Sequence, residues 1–228
     1  PTMAPAQESG PEFVGPPSPP LYDEARLERM LAEADRLPAL TSLLIARSDS
    51  LIVERYYNGM RADRTVNVKS VSKTLLSPMV GIAIRDSLLL RLDRESFERL
   101  LEGVEQPLAD LLPDYYERLR ARDDWDPRKD GIRLRHMLTM QTGIETTSFY
   151  NYGAWVASSD WAWDQLRRPM ECDPGDCHAY STGTSHLLSV ILTRESGRSL
   201  RRYMRDELFG PLGIPLGEWD RDPQGNYL

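Results

Sequence analysis

Lysine is scarce in this chain: of its 28 basic side chains only Lys69, Lys73 and Lys129 are lysine, and the rest are arginine. Arginine keeps its proton in a protein, whereas a desolvated lysine can give it up. Lys73 is therefore a candidate for more than fixed charge. Long apolar runs are lacking too. The best, residues 75–84, contains Pro78 and falls well short of the roughly eighteen residues of a membrane span. An excess of positive charge is also missing: the net charge of −7 argues against nucleic acid as a general partner. Histidine and cysteine are few, with three of one and two of the other, and no second pair of ligands stands at metal-binding spacing, so neither a metal nor another cofactor is expected. The two cysteines, Cys172 and Cys177, enclose Pro174-Gly175, a turn signal that can bring them within disulfide range. A local disulfide would imply an oxidising compartment; free buried thiols are the competing reading, and a metal site with the adjacent His178 is the third.

What is present is ordinary globular chemistry. At 228 residues, 40% hydrophobic and 28% charged, the chain can bury roughly 70% of its unfolded surface as one domain. Residues 1–20 hold seven prolines and no apolar period, which reads as a poorly ordered tail before a domain spanning 21–228. Leu27, Met30, Leu31, Ala34 and Leu37 recur at helical spacing before Pro38, and predict an amphipathic helix packed on a sheet. Residues 42–46 and 51–57 read as a hairpin turning through Ser48-Asp49-Ser50. Further on, the apolar pattern predicts short helices at 108–112 and 132–140 joined by charged loops such as 120–130, then helices at 185–194, before Gly197, and at 199–209, capped by Ser199. The stretch from about 85 to 180 thus reads as a helical subdomain beside a sheet. Aromatic residues crowd 149–163; Tyr150 and Trp155 are candidates for a substrate wall, with a plain core cluster the competing reading.

The chemistry gathers at Ser70-Val71-Ser72-Lys73, which opens the apolar helix at 75–84. Positions three apart share a helix face, so the Ser70 hydroxyl and the Lys73 amine fall within reach of each other. A serine needs a base to become a nucleophile, and a desolvated lysine can serve. The free N–H groups of a first helical turn favour developing negative charge beside Ser70. A leaving group must still be protonated, and the Tyr180 phenol, at the entrance of the helix that follows it, is the candidate.

In this order, Ser70-x-x-Lys73, then Leu138-Thr139-Met140-Gln141-Thr142-Gly143, Tyr180-Ser181-Thr182-Gly183 and Phe209-Gly210-Pro211-Leu212-Gly213-Ile214, the chain resembles the serine β-lactamase and penicillin-binding-protein superfamily, on the branch of class C β-lactamases, esterases, DD-peptidases and 6-aminohexanoate-dimer hydrolases. The resemblance covers about residues 40–220. It implies an α/β (α+β) fold, an antiparallel sheet flanked by helices plus a helical subdomain. It also implies two-step acyl transfer on an ester or amide, with Ser70 as acylated nucleophile, Lys73 as its activator, Tyr180 as partner in proton transfer and Thr182 in the substrate site. Thr182 stands where the β-lactamases carry asparagine, and a hydroxyl cannot replace an amide's donor and acceptor pair, so β-lactam recognition is the weaker expectation and an esterase or amidase the stronger. A DD-peptidase or β-lactamase, or a binding or sensor module that has lost turnover, are the alternatives. The family's third motif and its closing strands do not occur within these residues. The expected sheet is therefore incomplete, with the remainder carried by a longer protein or by a second polypeptide. The expected substrate is a small ester or amide, extracytoplasmic or environmental, with a periplasmic or secreted setting favoured and a cytoplasmic one the alternative.

Overall fold

A computed structural model describes residues 22–86, 88–89 and 102–227; the tail expected over 1–20 lies outside them. The chain divides into two compact units, residues 1–66 and 67–228.

In the first unit, helix α1 (Glu24–Ala34) starts where the Asp23 carboxylate accepts from the Arg26 N–H at 3.0 Å. Leu27, Leu31 and Ala34, spaced four and three apart, form its less exposed stripe, while Met30 and Leu37 face solvent. Strands β1 (Ser42–Arg47) and β2 (Ser50–Tyr56) pair antiparallel. Ser48 and Asp49 both take positive φ, 47° and 61°, the combination whose twist matches that of the flanking strands. Ile45 pairs with Val53 but Ala46 with Leu51, so Ile52 is a bulge. Among the described residues these are the only two paired strands, and two strands alone make no stable sheet. The sheet is incomplete, as the sequence implies.

The second unit is helical. A single 3₁₀ turn (Lys69–Val71) leads into α2 (Ser72–Arg85). Then come α3 (Leu108–Leu111), α4 (Pro113–Arg120), α5 (Leu134–Leu138), α6 (Tyr152–Val156), α7 (Trp161–Leu166), α8 (Thr182–Ser196) and α9 (Leu200–Met204), the last running on through a π turn to Phe209. Helix α8 is the axle. Eleven consecutive residues, Thr182 to Leu192, are buried, and the helix packs against α2, α5, α7 and α9. Its sequence explains this, because apolar residues at 187, 188, 190, 191 and 192 surround the helix instead of lining one stripe. Gly197 ends it at φ 63°, the left-handed position a Cβ resists.

Two sequence expectations need correction. The stretch between 112 and 120 is not all loop, because Pro113 opens a helix there, at a first-turn position where an N–H would have no intrahelical partner. The charged loop at 120–130 contains a 3₁₀ turn (Pro127–Gly131) capped by Asp126, and within it Lys129 is 3% exposed, its ammonium donating to the Leu166 carbonyl at 2.8 Å. Burial pushes the Lys129 pKa down. One of the three lysines is thus a buried tie between two segments.

Candidate active site

Ser70 sits in the 3₁₀ turn just ahead of α2, not inside the α-helix. Lys69, beside it, holds φ 50°, and its N–H donates to the Asn67 side chain at 2.8 Å. The Ser72 hydroxyl donates to the Lys69 carbonyl at 2.8 Å. These local bonds aim the turn outward: Ser70 is exposed, and so are Val68 and Val71. The Lys73 Nζ lies 3.1 Å from the Ser70 Oγ, so the tetrad closes on itself as its spacing predicts. The same nitrogen stands 5.6 Å from the centre of the Tyr180 ring. Ser70, Lys73 and Tyr180, distant in sequence, therefore meet.

Tyr180 is held from the other side. Thr146 Oγ1 donates to the Tyr180 carbonyl at 2.6 Å. Thr147 N–H donates to Ser181 Oγ at 3.3 Å, and Gly183 N–H donates to Thr147 Oγ1 at 2.7 Å. Thr182 N–H donates to Ser148 Oγ at 2.9 Å, and the Ser148 and Thr182 hydroxyls are themselves 2.9 Å apart. Residues 146–148 thus clip residues 180–183, and with Ser181 accepting from Thr184 N–H at 3.4 Å the first N–H groups of α8 are all satisfied. Phe149 follows at φ 56°, mostly exposed, with its ring 6.1 Å from that of Tyr180.

On the chain entering Tyr180, Cys172 and Cys177 form a disulfide with Cα atoms 6.4 Å apart. The turn it closes is pinned by Gly175 N–H to the Gln141 carbonyl and Ala179 N–H to the Met140 carbonyl, at 2.8 and 2.9 Å. Gly143, at φ 77°, lies so close to the Cys172 carbonyl that no Cβ fits there.

The remaining sequence candidates are placed differently. Trp155 is fully buried, its Nε1–H donating to the Trp161 carbonyl at 2.9 Å, and as placed it offers a ligand no surface. Tyr150 is 85% exposed. Thr182 is buried and its hydroxyl is engaged by Ser148. The sequence reading missed Thr146, Thr147, Ser148 and Gln165, whose only visible signal was a run of three hydroxyl residues shortly after Gly143. It also missed a buried pair behind the site, in which His186 Nε2 and Asp222 Oδ2 are 2.8 Å apart. Burial pushes the Asp222 carboxyl up, but hydrogen bonds from His186 and from the Asn226 side chain and backbone outweigh it and leave the group below the usual carboxylate range. His186 lines, with Lys73, Leu76, Ser185, Ser189, Trp219 and Tyr227, a small cavity between α2 and α8.

A hairpin, a helical unit with a buried central helix, and a Ser-x-x-Lys turn facing a tyrosine define a β-lactamase-like fold. The Beta-lactamase family profile matches residues 25–226, and the chain belongs to that family. Among solved structures it is similar to an octameric penicillin-binding-protein homologue from Pyrococcus abyssi (15% identity, TM-score 0.59, 91% of this chain and 50% of that one). It is also similar to EstCE1, described as a hydrolase with promiscuous acyltransferase activity (20% identity, TM-score 0.59, 89% and 55%), and to a Bacillus anthracis protein provisionally described as a 6-aminohexanoate-dimer hydrolase (15% identity, TM-score 0.60, 88% and 51%). The chain spans about half the length of these structures. No curated protein sequence matches it.

Proposed function

We propose that this chain carries the nucleophile side of a serine hydrolase that cleaves a small ester or amide through an acyl-Ser70 intermediate. The observation that carries the reading is the 3.1 Å separation of Lys73 Nζ and Ser70 Oγ, with the Tyr180 ring beside the same nitrogen. In the acylation step the Lys73 amine, unprotonated, takes the Ser70 proton as Oγ attacks the carbonyl carbon. The Ser70 backbone N–H serves as one donor to the oxyanion. On collapse, Lys73 and Tyr180 return the proton to the departing alcohol or amine, and water then releases the acyl group, regenerating Ser70. No metal or other cofactor takes part in this scheme. Family membership and the hydrolase descriptions of two structural relatives support it. The disulfide supports an extracytoplasmic setting.

The engagement of the Thr182 hydroxyl by Ser148 counts against β-lactam recognition through that side chain. The deciding experiment is intact mass before and after a fluorophosphonate probe, with peptide mapping and Ser70→Ala as control. One label per chain on Ser70, absent from the variant, is expected; no label on Ser70 overturns the covalent mechanism. Benzylpenicillin in place of the probe separates the alternatives: turnover or acylation favours a β-lactamase or DD-peptidase. A stable adduct with every ester and amide tried favours a sensor module.

A further inference from the structure

Gln165, on α7, belongs to no motif and touches none of the three proposed reacting groups, yet its side-chain oxygen lies at the centre of the clip that carries Tyr180. It is fully buried. Its Oε1 accepts from Thr147 Oγ1 and from Ser181 Oγ, both at 2.9 Å, and its Nε2 donates to the Glu145 carbonyl at 3.3 Å. The proton count closes. Each hydroxyl spends its only proton on Gln165 and uses its lone pairs for backbone N–H groups, Gly183 for Thr147, and Thr147 and Thr184 for Ser181. The two hydroxyls also lie 3.2 Å from each other, but that bond could use only one of their protons, whereas Gln165 Oε1 accepts both at 2.9 Å; the glutamine's carbonyl end is thereby set toward α8 and its amide end toward Glu145. The fit leaves no spare room: a Cβ on Gly183 would fall 2.6 Å from Thr147 Oγ1 and onto Gln165 Oε1.

We infer that Gln165 is a positioning residue for Tyr180, holding through Ser181 and Thr147 the backbone from which the phenol is presented to Lys73. This inference rests on the functional reading above. Without the shared acceptor, the two buried hydroxyls, 3.2 Å apart, can satisfy only one of their two protons on each other, which leaves the other unpaired beside the N-cap of α8, one residue from Tyr180.

The test uses Gln165→Met, which keeps length and apolar volume but removes the acceptor, and Gln165→Glu, whose protonated carboxyl can reproduce both roles. In Gln165→Met, fluorophosphonate labelling of Ser70 should slow about 10-fold or more, and ester turnover should lose kcat with little change in KM. Relative to the parent at the same pH, Gln165→Glu should recover rate as the pH is lowered. An activity-independent arm reads the ¹³Cζ resonance of Tyr180. Lys73→Met should shift it in the parent background and not in Gln165→Met. If the parent fails to label, the functional reading falls and the resonance arm alone decides the inference. If Gln165→Met does not fold, Thr147→Val, which removes one of the two hydroxyls, takes its place in both arms. A folded variant with parental labelling rate and parental Lys73–Tyr180 coupling overturns the inference.

Discussion

The two sides of the candidate site are built on opposite plans. Tyr180 enters from a segment whose backbone is bonded residue by residue to Thr146, Thr147 and Ser148, with Gln165 behind them and almost everything buried. Ser70 stands on one exposed 3₁₀ turn supported by short-range bonds, to the Asn67 side chain and from the Ser72 hydroxyl, and flanked by exposed Val68 and Val71. A proton-transfer group that only has to be in the right place can be locked. A nucleophile that must accept a carbonyl, form a bond and later admit water needs open space on its reacting side. Substitutions should therefore act mainly on stability on the tyrosine side and mainly on chemistry on the serine side.

The largest expected effects are chemical. Ser70→Ala should abolish covalent labelling and Lys73→Met should slow it by about 10²–10⁴-fold, both with the melting temperature nearly unchanged; a large loss of stability in either would contradict the exposed-turn picture. Next comes the pair behind α8. Asp222→Ala leaves a His186 ring nitrogen buried without its partner and should cost about 1–3 kcal/mol in denaturant melts. The same carboxylate gives an acid limb. Its pKa is depressed in the folded chain, so its contribution is complete above the unfolded carboxylate value near 3.9 and is lost as pH falls through the folded value. Stability measured across that window should fall less steeply in Asp222→Asn than in the parent. Gly183→Ala should cost about 1–3 kcal/mol because its methyl collides with the Thr147–Gln165 bond. A neutral result would mean the clip yields easily. The smallest effect belongs to Lys69→Gly, where relief of the positive φ and the entropy of glycine nearly cancel, leaving stability within about 1 kcal/mol.

The local parts of this design were legible in the sequence. Ser70 and Lys73 three apart, the cap at Ser199, Gly197 past a helix end, and the Ser48-Asp49 turn are each decided by neighbours along the chain, and each left its mark in residue type and spacing. The clip was not legible, because hydrogen bonds between residues 34 apart have no periodicity to betray them and Ser, Thr and Gln occur everywhere on protein surfaces. Trp155 shows the same limit from the apolar side. An aromatic cluster announces burial or binding alike, and only its bond to the Trp161 carbonyl and its lack of exposure tell which surface it has joined. Lys129 is the counterpart among charges, a lysine in a charged stretch read as a loop whose ammonium is buried as a tie to the Leu166 carbonyl.

The clip also ties off residues 149–179 as one closed loop. Closing a loop of that length costs about 3 kcal/mol in chain entropy plus a constant, more than the 0.5–1.5 kcal/mol or so that a single such hydrogen bond returns. No one member of the clip can therefore persist by itself. The Tyr180 side should assemble in a single cooperative event, so that amide protons at Thr147, Thr182 and Gly183 exchange with solvent at a common rate.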